Sequence, residues 1–167
     1  MAEATRRPST ATDQIRWKAL LSREAEAIVN QCVARNCISE ITQESVPADV
    51  TPVRIALEVI RRRTSVATPG DRALVLAPTR PIIREYYERA NEINTLTPRL
   101  AVSRLDTAKW GTQEWSQALG MHNLLITSPM VMLDALDAGL VPRTAFTTVV
   151  ICECHNCIGS QQTSSCA

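Results

Sequence analysis

The stretch RALVLAPTRPIIREYYERANEI, residues 72–93, contains a strand signal followed directly by a helix signal. Its first part, ALVLA, is a short continuous apolar run, which is typical of a strand covered on both faces of a sheet. Its second part has apolar residues at helical spacing, and the side chains predicted to face inward are Ile82, Ile83, Tyr86, Tyr87, Ala90 and Ile93. The residues between the two parts, Pro78-Thr79-Arg80, therefore form the predicted turn from strand to helix.

The same alternation of strand and helix signals continues on both sides of this stretch. Upstream lie a helix in IRWKALLSREAEAIVNQCVARN, a short strand in NCISEI, and a helix with Thr51 as N-cap and Pro52 in its first turn. Downstream, RLAVS, NLLIT and TTVVIC are predicted strands, TQEWSQALG is a predicted helix closed by Gly120, and VMLDALDAG is one closed by Gly139. Repeated strand–helix–strand order predicts an α/β fold with a parallel sheet and helices on both faces. The predicted strands lie near Ile38, Val75, Val102, Ile126 and Val150.

Composition and charge limit the classes of protein that this chain can represent. It has 167 residues, of which 45% are hydrophobic and 21% charged, with a net charge of +1. These values fit one globular domain and give no general attraction to nucleic acid or to a membrane surface. The run Arg61-Arg62-Arg63 is interpreted as a solvated helix end that the helix dipole favours.

The chain is predicted to contain one domain with short tails. No apolar run approaches the ~20 residues of a membrane helix, and the first residues lack the apolar core of a secretory signal. We therefore expect a cytoplasmic or nuclear location and no membrane partner. Residues 1–13 and 161–167 are predicted to be disordered tails around a domain at residues 14–160.

The cysteines allow two interpretations. Four of the six, Cys152, Cys154, Cys157 and Cys166, lie in the last sixteen residues. The spacing Cys154-x-x-Cys157 suits one half of a zinc site. However, a second such pair is missing, and Cys152 and Cys154 lie on the same side of the predicted strand. Free thiols and no bound metal are therefore favoured.

Motifs at three predicted strand ends resemble those of a known family. LVLAPTR, residues 74–80, resembles motif Ia of superfamily 2 helicases, and LLITSPMVMLDAL, residues 124–136, resembles the next block of the Dicer and RIG-I-like group. VVICECHNCIG, residues 149–159, resembles motif II of that group. In addition, LDTAKWGTQEWSQAL is similar to a segment of fungal Dicer-like proteins, and ARNCISEI resembles the strand before their nucleotide loop. The resemblance covers about residues 15–159 in the family's order.

The resemblance implies a RecA-like domain that closes on duplex RNA with ATP. In Dicer-like proteins this domain is joined to ribonuclease III domains that act in RNA silencing. On this basis the chain is expected to be a partial domain ending after motif II. The residues implied in contact with the RNA backbone are Pro78, Thr79, Arg80, Ser128 and Pro129. The alternative is that Thr79 and Ser128 only cap helices, which is the favoured interpretation for Ser128 and stays open for Thr79.

The implied nucleotide site is predicted to be degenerate. The segment TQESVPADVT, residues 42–51, contains no glycine and no lysine, although a phosphate-binding loop of this type needs both. The resemblance aligns Thr51 with the family residue whose hydroxyl lies on the magnesium side of the nucleotide. It aligns Cys152 with the Asp that holds the metal in the family. It puts Glu153 at the water-activating position and His155 at the residue that couples nucleotide state to the rest of the domain. Glu153 and His155 are thus vestigial catalytic residues, with ATP and Mg²⁺ as ancestral cofactors and none expected now.

Three hypotheses of function follow. The first is a degenerate fragment of a Dicer-like helicase ATP-binding domain, ancestrally engaged in ATP-dependent processing of double-stranded RNA and inactive as this chain. The second is a non-enzymatic module that binds an RNA backbone weakly, or binds a silencing protein. The third is a small zinc-stabilised protein.

Overall fold

The computed structural model describes residues 23–36, 51–64, 70–101 and 107–154. The predicted strand near Ile38, the residue His155 and both predicted tails lie outside those ranges, as do the predicted domain boundaries. The helices of the described part are α1 (Arg23–Ala34), α2 (Pro52–Thr64), α3 (Arg80–Asn91), α4 (Thr112–Met121) and α5 (Pro129–Asp137). Its strands are β1 (Ala73–Leu76), β2 (Pro98–Ala101), β3 (Leu124–Thr127) and β4 (Thr148–Ile151).

The four strands form one parallel sheet in the order β2-β3-β1-β4. Val75 in β1 lies opposite Ile126 of β3 on one side and Val150 of β4 on the other. The predictions of strands near these three residues and of parallel order are therefore confirmed. Strand β2 ends at Ala101, and Val102 lies outside the described residues.

Helices cover both faces of the sheet because side chains alternate along each strand. Ala73, Val75, Leu124 and Ile126 point to one face, where they pack with α2 and α3. Leu74 and Leu125 point to the other face and pack with α4 and α5. The α/β fold with helices on both faces is confirmed, and it is consistent with a RecA-like arrangement. Within the described ranges, no helix is long and apolar enough to cross a membrane.

Two of the predicted helix ends are confirmed by backbone geometry. At the start of α2, the backbone N–H of Arg54 lies 3.4 Å from the Thr51 hydroxyl oxygen, which identifies Thr51 as the N-cap. At the end of α5, Gly139 adopts a left-handed φ of 67°. The N–H of Gly139 donates to the carbonyl of Leu136 at 3.1 Å, and the N–H of Leu140 donates to the carbonyl of Ala135 at 2.9 Å. This pair of bonds is a Schellman motif, which glycine accommodates without steric cost.

The prediction that Gly120 closes α4 is wrong. The helix continues through Gly120 to Met121, and its last N–H bond runs from His122 to the carbonyl of Ala118 at 3.2 Å. His122 then takes an extended conformation and the chain proceeds to β3. Because the chain leaves α4 in an extended conformation, no left-handed residue is needed at the helix end, and Gly120 does not act as a C-cap.

Helix α1 docks on α2 through apolar and charged contacts. Ala25 and Val29 pack against Ile55 and Val59 of α2. At the end of α2, the guanidinium groups of three arginines have protein partners: Glu58 of the same helix for Arg61, Glu58 and Glu26 of α1 for Arg62, and the Cys32 carbonyl of α1 for Arg63. The interpretation of Arg61–Arg63 as a solvated helix end is therefore wrong, because Arg62 and Arg63 bond to α1 and Arg61 bonds to the buried Glu58.

Candidate functional site

The loops that the sequence singled out follow the carboxyl ends of neighbouring strands. The last residues of β1, β3 and β4 lie side by side, with Leu76 opposite both Thr127 and Ile151. The residues that follow these strands therefore share one edge of the sheet, which we call the rim. Ligands of open α/β sheets bind beyond this edge.

At the β1 end of the rim, Pro78, Thr79 and Arg80 are exposed. Thr79 is the N-cap residue of α3 and has an extended backbone. Its carbonyl accepts a hydrogen bond from the backbone N–H of Ile83 at 3.0 Å. Within the described residues its hydroxyl makes no capping hydrogen bond. The hydroxyl of Thr79 and the guanidinium of Arg80 are therefore both presented to solvent at the rim.

At the β3 end of the rim, the side chain of Ser128 is engaged in capping. Its hydroxyl oxygen accepts from the N–H of Val131 at 3.4 Å, and Pro129 is the first residue of α5. The hydroxyl of the buried Thr127 donates to the Ala101 carbonyl at 2.7 Å and so ties β3 to β2. The two loops differ: Ser128 caps its helix with its side chain, and Thr79 does not.

At the β4 end of the rim, three predicted nucleotide-site residues line one cavity of about 720 Å³. They are Thr51 before α2, and Cys152 and Glu153 after β4. Thr51 therefore lines the same cavity as Cys152 and Glu153, although about a hundred positions of sequence separate them. The fourth residue, His155, lies outside the described ranges.

Cys152 is half-buried against α2 and α3 and is held by the backbone. Its N–H donates to the Leu76 carbonyl at 2.9 Å. Burial raises the pKa of the Cys152 thiol, the charge of Glu153 adds to this, and a side-chain hydrogen bond with Tyr86 only partly offsets the rise. The thiol is therefore neutral at physiological pH. Burial also raises the pKa of Tyr86, so its hydroxyl stays protonated beside the sulfur.

Glu153 has an unusual backbone conformation directly after Cys152. Its φ is 51°, and among the described non-glycine residues it alone has a positive φ. Left-handed geometry is disfavoured for residues with a Cβ, so the turn at Glu153 is imposed by its surroundings. The turn leaves the carboxylate exposed at the wall of the same cavity.

The cysteines of the described part do not form a metal site. Cys32, Cys152 and Cys154 are half-buried and form no disulfide bond with one another, and all three line the 720 Å³ cavity. In the ranges that the structure describes, no group of three or more His, Cys, Asp or Glu residues could hold a metal ion. The remaining candidates for the zinc hypothesis, Cys157 and Cys166, lie outside those ranges.

The cavity continues as a groove between α1, α2 and the outer side of β4, and we call it the β4 groove. Thr51, Glu153, Arg35 and Arg63 are among the residues that line this groove. The residues from Thr51 to Arg63 span about 18 Å along the helix axis.

The fold and its rim define an α/β protein with an open parallel sheet. No family model matches the chain. The chain is 26% identical over 108 residues to Endoribonuclease Dicer homolog 3b of Oryza sativa subsp. japonica, covering 65% of this chain and 7% of that protein. It is 23% identical over 106 residues to Endoribonuclease Dicer homolog 3 of Arabidopsis thaliana, covering 64% and 7%. It is 23% identical over 147 residues to Dicer-like protein 2 of Coccidioides immitis (strain RS), covering 82% and 10%.

These similarities support a Dicer-like relationship for the chain. The chain spans 7% to 10% of the length of the relatives that it matches. Two of these relatives are named endoribonucleases and the third a Dicer-like protein, and all three are many times longer than this chain.

Proposed function

We propose that this chain is a degenerate ATP-binding region of a Dicer-like superfamily 2 helicase that retains weak binding to the backbone of double-stranded RNA. The observation that carries the proposal is the pair of exposed groups on the rim, the Thr79 hydroxyl and the Arg80 guanidinium. The order of the motifs and the similarity to Dicer proteins support RNA as the ligand.

The chemistry of the rim suits a phosphate backbone. An A-form duplex presents phosphates and 2′-hydroxyls and hides its base edges in a deep groove. Arg80 would pair with a phosphate by charge-assisted hydrogen bonds, and Thr79 would bond to a phosphate or a 2′-hydroxyl. Because the net charge is only +1, binding should be weak and independent of sequence.

Arg80→Ala should weaken the binding of duplex RNA, and the measurement is fluorescence anisotropy with labelled RNA at low and physiological salt. Losing one phosphate contact should lower the slope of log affinity against log salt by about 1. The matched control is Arg84→Ala, since Arg84 is also exposed and lies on the same helix one turn further on. Ser128→Ala should change RNA affinity less than Arg80→Ala, because the Ser128 oxygen already accepts from Val131.

Equal binding by the native chain and Arg80→Ala would contradict the proposal. Equal losses in Arg80→Ala and Arg84→Ala would do the same, because they would indicate a general electrostatic effect and no site at the rim.

We infer that the residues around Thr51 and Cys152 do not suit ATP with Mg²⁺. Mg²⁺ prefers oxygen ligands in octahedral geometry, and the half-buried Cys152 offers a neutral thiol. The Thr51 hydroxyl is engaged with the first turn of α2. The segment 42–51 contains neither the glycines nor the lysine that would approach the phosphates, and it adds the carboxylates of Glu44 and Asp49.

The native chain is therefore expected to show no ATP hydrolysis above the blank, with or without duplex RNA. Steady-state phosphate release in Mg²⁺ checks this for the native chain and for Glu153→Gln. Cys152→Asp should also be inactive, because restoring one oxygen ligand does not restore the phosphate-binding loop. Turnover that disappears in Glu153→Gln would show that the site is catalytic after all.

A further inference from the structure

A second cavity lies between β2 and α4, at the edge of the sheet away from β4. Its volume is about 210 Å³, and its lining includes Arg99 of β2, Trp110 before α4 and Glu114 in the first turn of α4. Every residue that lines it belongs to the part of the chain that the structure describes. Pockets for drug-sized ligands have volumes of about 300–1,000 Å³, so this cavity suits a smaller group, such as one planar ring system.

The aromatic wall of this cavity is the ring of Trp110. The ring is half-buried, and the buried Trp115 meets it edge to face with the centroids 5.0 Å apart, which fixes its orientation. The guanidinium of Arg99 lies over the Trp110 ring, 5.2 Å from its centroid. Aromatic rings held in this way are platforms on which nucleobases stack. Because the side chain of Arg99 is exposed and flexible, its guanidinium can move from the ring to the edge of a stacked base.

Two opposite charges line the cavity without pairing with each other. The Oε2 atom of Glu114 accepts a hydrogen bond from the backbone N–H of Gly111 at 2.8 Å, which holds the carboxylate in place. Within the described ranges, no ion pair joins Glu114 to Arg99. A carboxylate only accepts hydrogen bonds and a guanidinium only donates them. A planar ligand that satisfies both must therefore present donors on one edge and acceptors on another.

Guanine is the nucleobase that meets both requirements. Its O6 and N7 atoms are neighbouring acceptors, which arginine recognises with two hydrogen bonds, and its N2 amino group is a donor. The N1–H group lies beside that amino group, so a single carboxylate can accept from both. Adenine instead presents an amino donor beside N7, where a guanidinium would need an acceptor. Cytosine has one ring, which offers less surface for stacking.

We propose that this cavity binds one unpaired guanine base, stacked on Trp110, with Arg99 donating to O6 and N7 and Glu114 accepting from N1–H and the N2 amino group. The base belongs to a guanine nucleotide or to an unpaired guanosine in an RNA strand, which present the same edges. Because Arg99 belongs to β2 and the rim follows the other three strands, the guanine site is separate from the rim. It does not depend on the binding of an RNA backbone by Arg80.

The first test is quenching of tryptophan fluorescence by guanosine 5′-monophosphate, with equilibrium dialysis as a second measure of affinity. Binding should be saturable and tighter than for adenosine 5′-monophosphate. Inosine 5′-monophosphate, which lacks the N2 amino group, should bind more weakly than the guanine nucleotide. Trp110→Ala should lower the affinity about 5- to 150-fold, which corresponds to about 1–3 kcal/mol for one stacked base. Circular dichroism should show that each variant is folded.

Charge variants test the two sets of hydrogen bonds. Arg99→Ala should abolish the preference for guanine over adenine, whereas Arg143→Ala should keep it, since Arg143 is also exposed but does not line the cavity. Glu114→Gln retains a side chain that suits its capping position, and it should abolish the preference for the guanine nucleotide over the inosine nucleotide. Arg80→Ala should leave the affinity for the guanine nucleotide unchanged.

Duplex RNA with one unpaired guanosine, compared with the same duplex carrying an unpaired adenosine, identifies the source of the base. A preference for guanosine that Arg99→Ala removes would show that the site takes a base from RNA, and binding of the nucleotide alone would show that it takes a free nucleotide. The absence of saturable binding by either guanine ligand would overturn the proposal. Equal affinity for guanine and adenine, or equal effects of Arg99→Ala and Arg143→Ala, would overturn it too.

Discussion

Trp115→Ala is expected to lower the free energy of unfolding by about 3–5 kcal/mol, as for other large side chains removed from a core. Trp115 is 1% exposed and packs with Leu125 of β3 and Val131 of α5. Its ring also meets the ring of Trp110 edge to face, with the centroids 5.0 Å apart. Removing it leaves a cavity between the sheet and α4 that these rigid neighbours cannot fill.

The measurement for Trp115→Ala is chemical denaturation followed by far-ultraviolet circular dichroism. The midpoint should fall while the dependence on denaturant stays the same, which separates a loss of stability from a change in compactness. Trp110→Ala is the matched control, because Trp110 lies at the margin of the same core, is only half-buried, and has the exposed Arg99 guanidinium 5.2 Å from its ring centroid. A loss in Trp115→Ala no larger than in Trp110→Ala would contradict the assignment of Trp115 to the core.

The strands and most helix ends could be predicted because their signals are local. The apolar runs around Val75 and Ile126 are continuous, which only a strand covered on both faces favours in so short a segment. Gly139 follows the last apolar position of its helix and takes the left-handed conformation expected there. Gly120 also follows the last apolar position of its predicted helix, but it does not end the helix. The chain instead leaves α4 at the extended His122 and continues to β3.

Contacts between distant segments could not be predicted from local patterns. The arginines at the end of α2 have the sequence of a solvated helix end, and only the docking of α1 gives Arg62 and Arg63 their partners Glu26 and the Cys32 carbonyl. The position of Tyr86 on the inner face of α3 was predictable from its spacing, but its contact with Cys152 was not. That contact depends on the parallel pairing of β1 with β4.

In the candidate site, too, some features could be predicted from the sequence and others could not. Thr51, Cys152 and Glu153 could be singled out from the motif resemblance, and all three line one cavity. The use of individual hydroxyls was not predictable, since Thr79 and Ser128 both precede a helix that has a proline in its first turn. Only the geometry shows that Ser128 caps and that the Thr79 hydroxyl does not.

Glu58→Ala is expected to destabilise the α1–α2 unit. The carboxylate of Glu58 is buried, and its oxygens accept from Arg61 and Arg62 at 2.7 Å. Removing one member of a buried ion pair costs about 3–5 kcal/mol. Both arginine side chains keep 25% exposure, and water would therefore reduce the loss to about 2–3 kcal/mol. Thermal and denaturant unfolding of the variant and the native chain measure this difference.

The same carboxylate should make stability depend on pH in the acid range. Burial alone would raise the pKa of Glu58, but the hydrogen bonds and charges of Arg61 and Arg62 outweigh it, so the pKa lies below its ordinary value of 4.5. A lowered pKa in the folded state stabilises the protein above the unfolded pKa. That stabilisation is lost as pH falls through the folded pKa. We expect the difference in stability between the native chain and Glu58→Gln to shrink as pH falls below about 4.5.

Glu92→Gln separates the effect of Glu58 from that of carboxylates in general. Glu92 pairs with Arg89 at 3.2 Å, but both side chains are 50% exposed. Such a pair contributes less than about 1 kcal/mol because water and salt screen it. Glu92→Gln should therefore unfold close to the native midpoint and keep the native dependence on pH. If Glu58→Gln also kept the native midpoint and pH dependence, the hydrogen bonds of Glu58 would not stabilise the packing of α1 on α2. The apolar contacts of Ala25 and Val29 with Ile55 would then have to hold the two helices together.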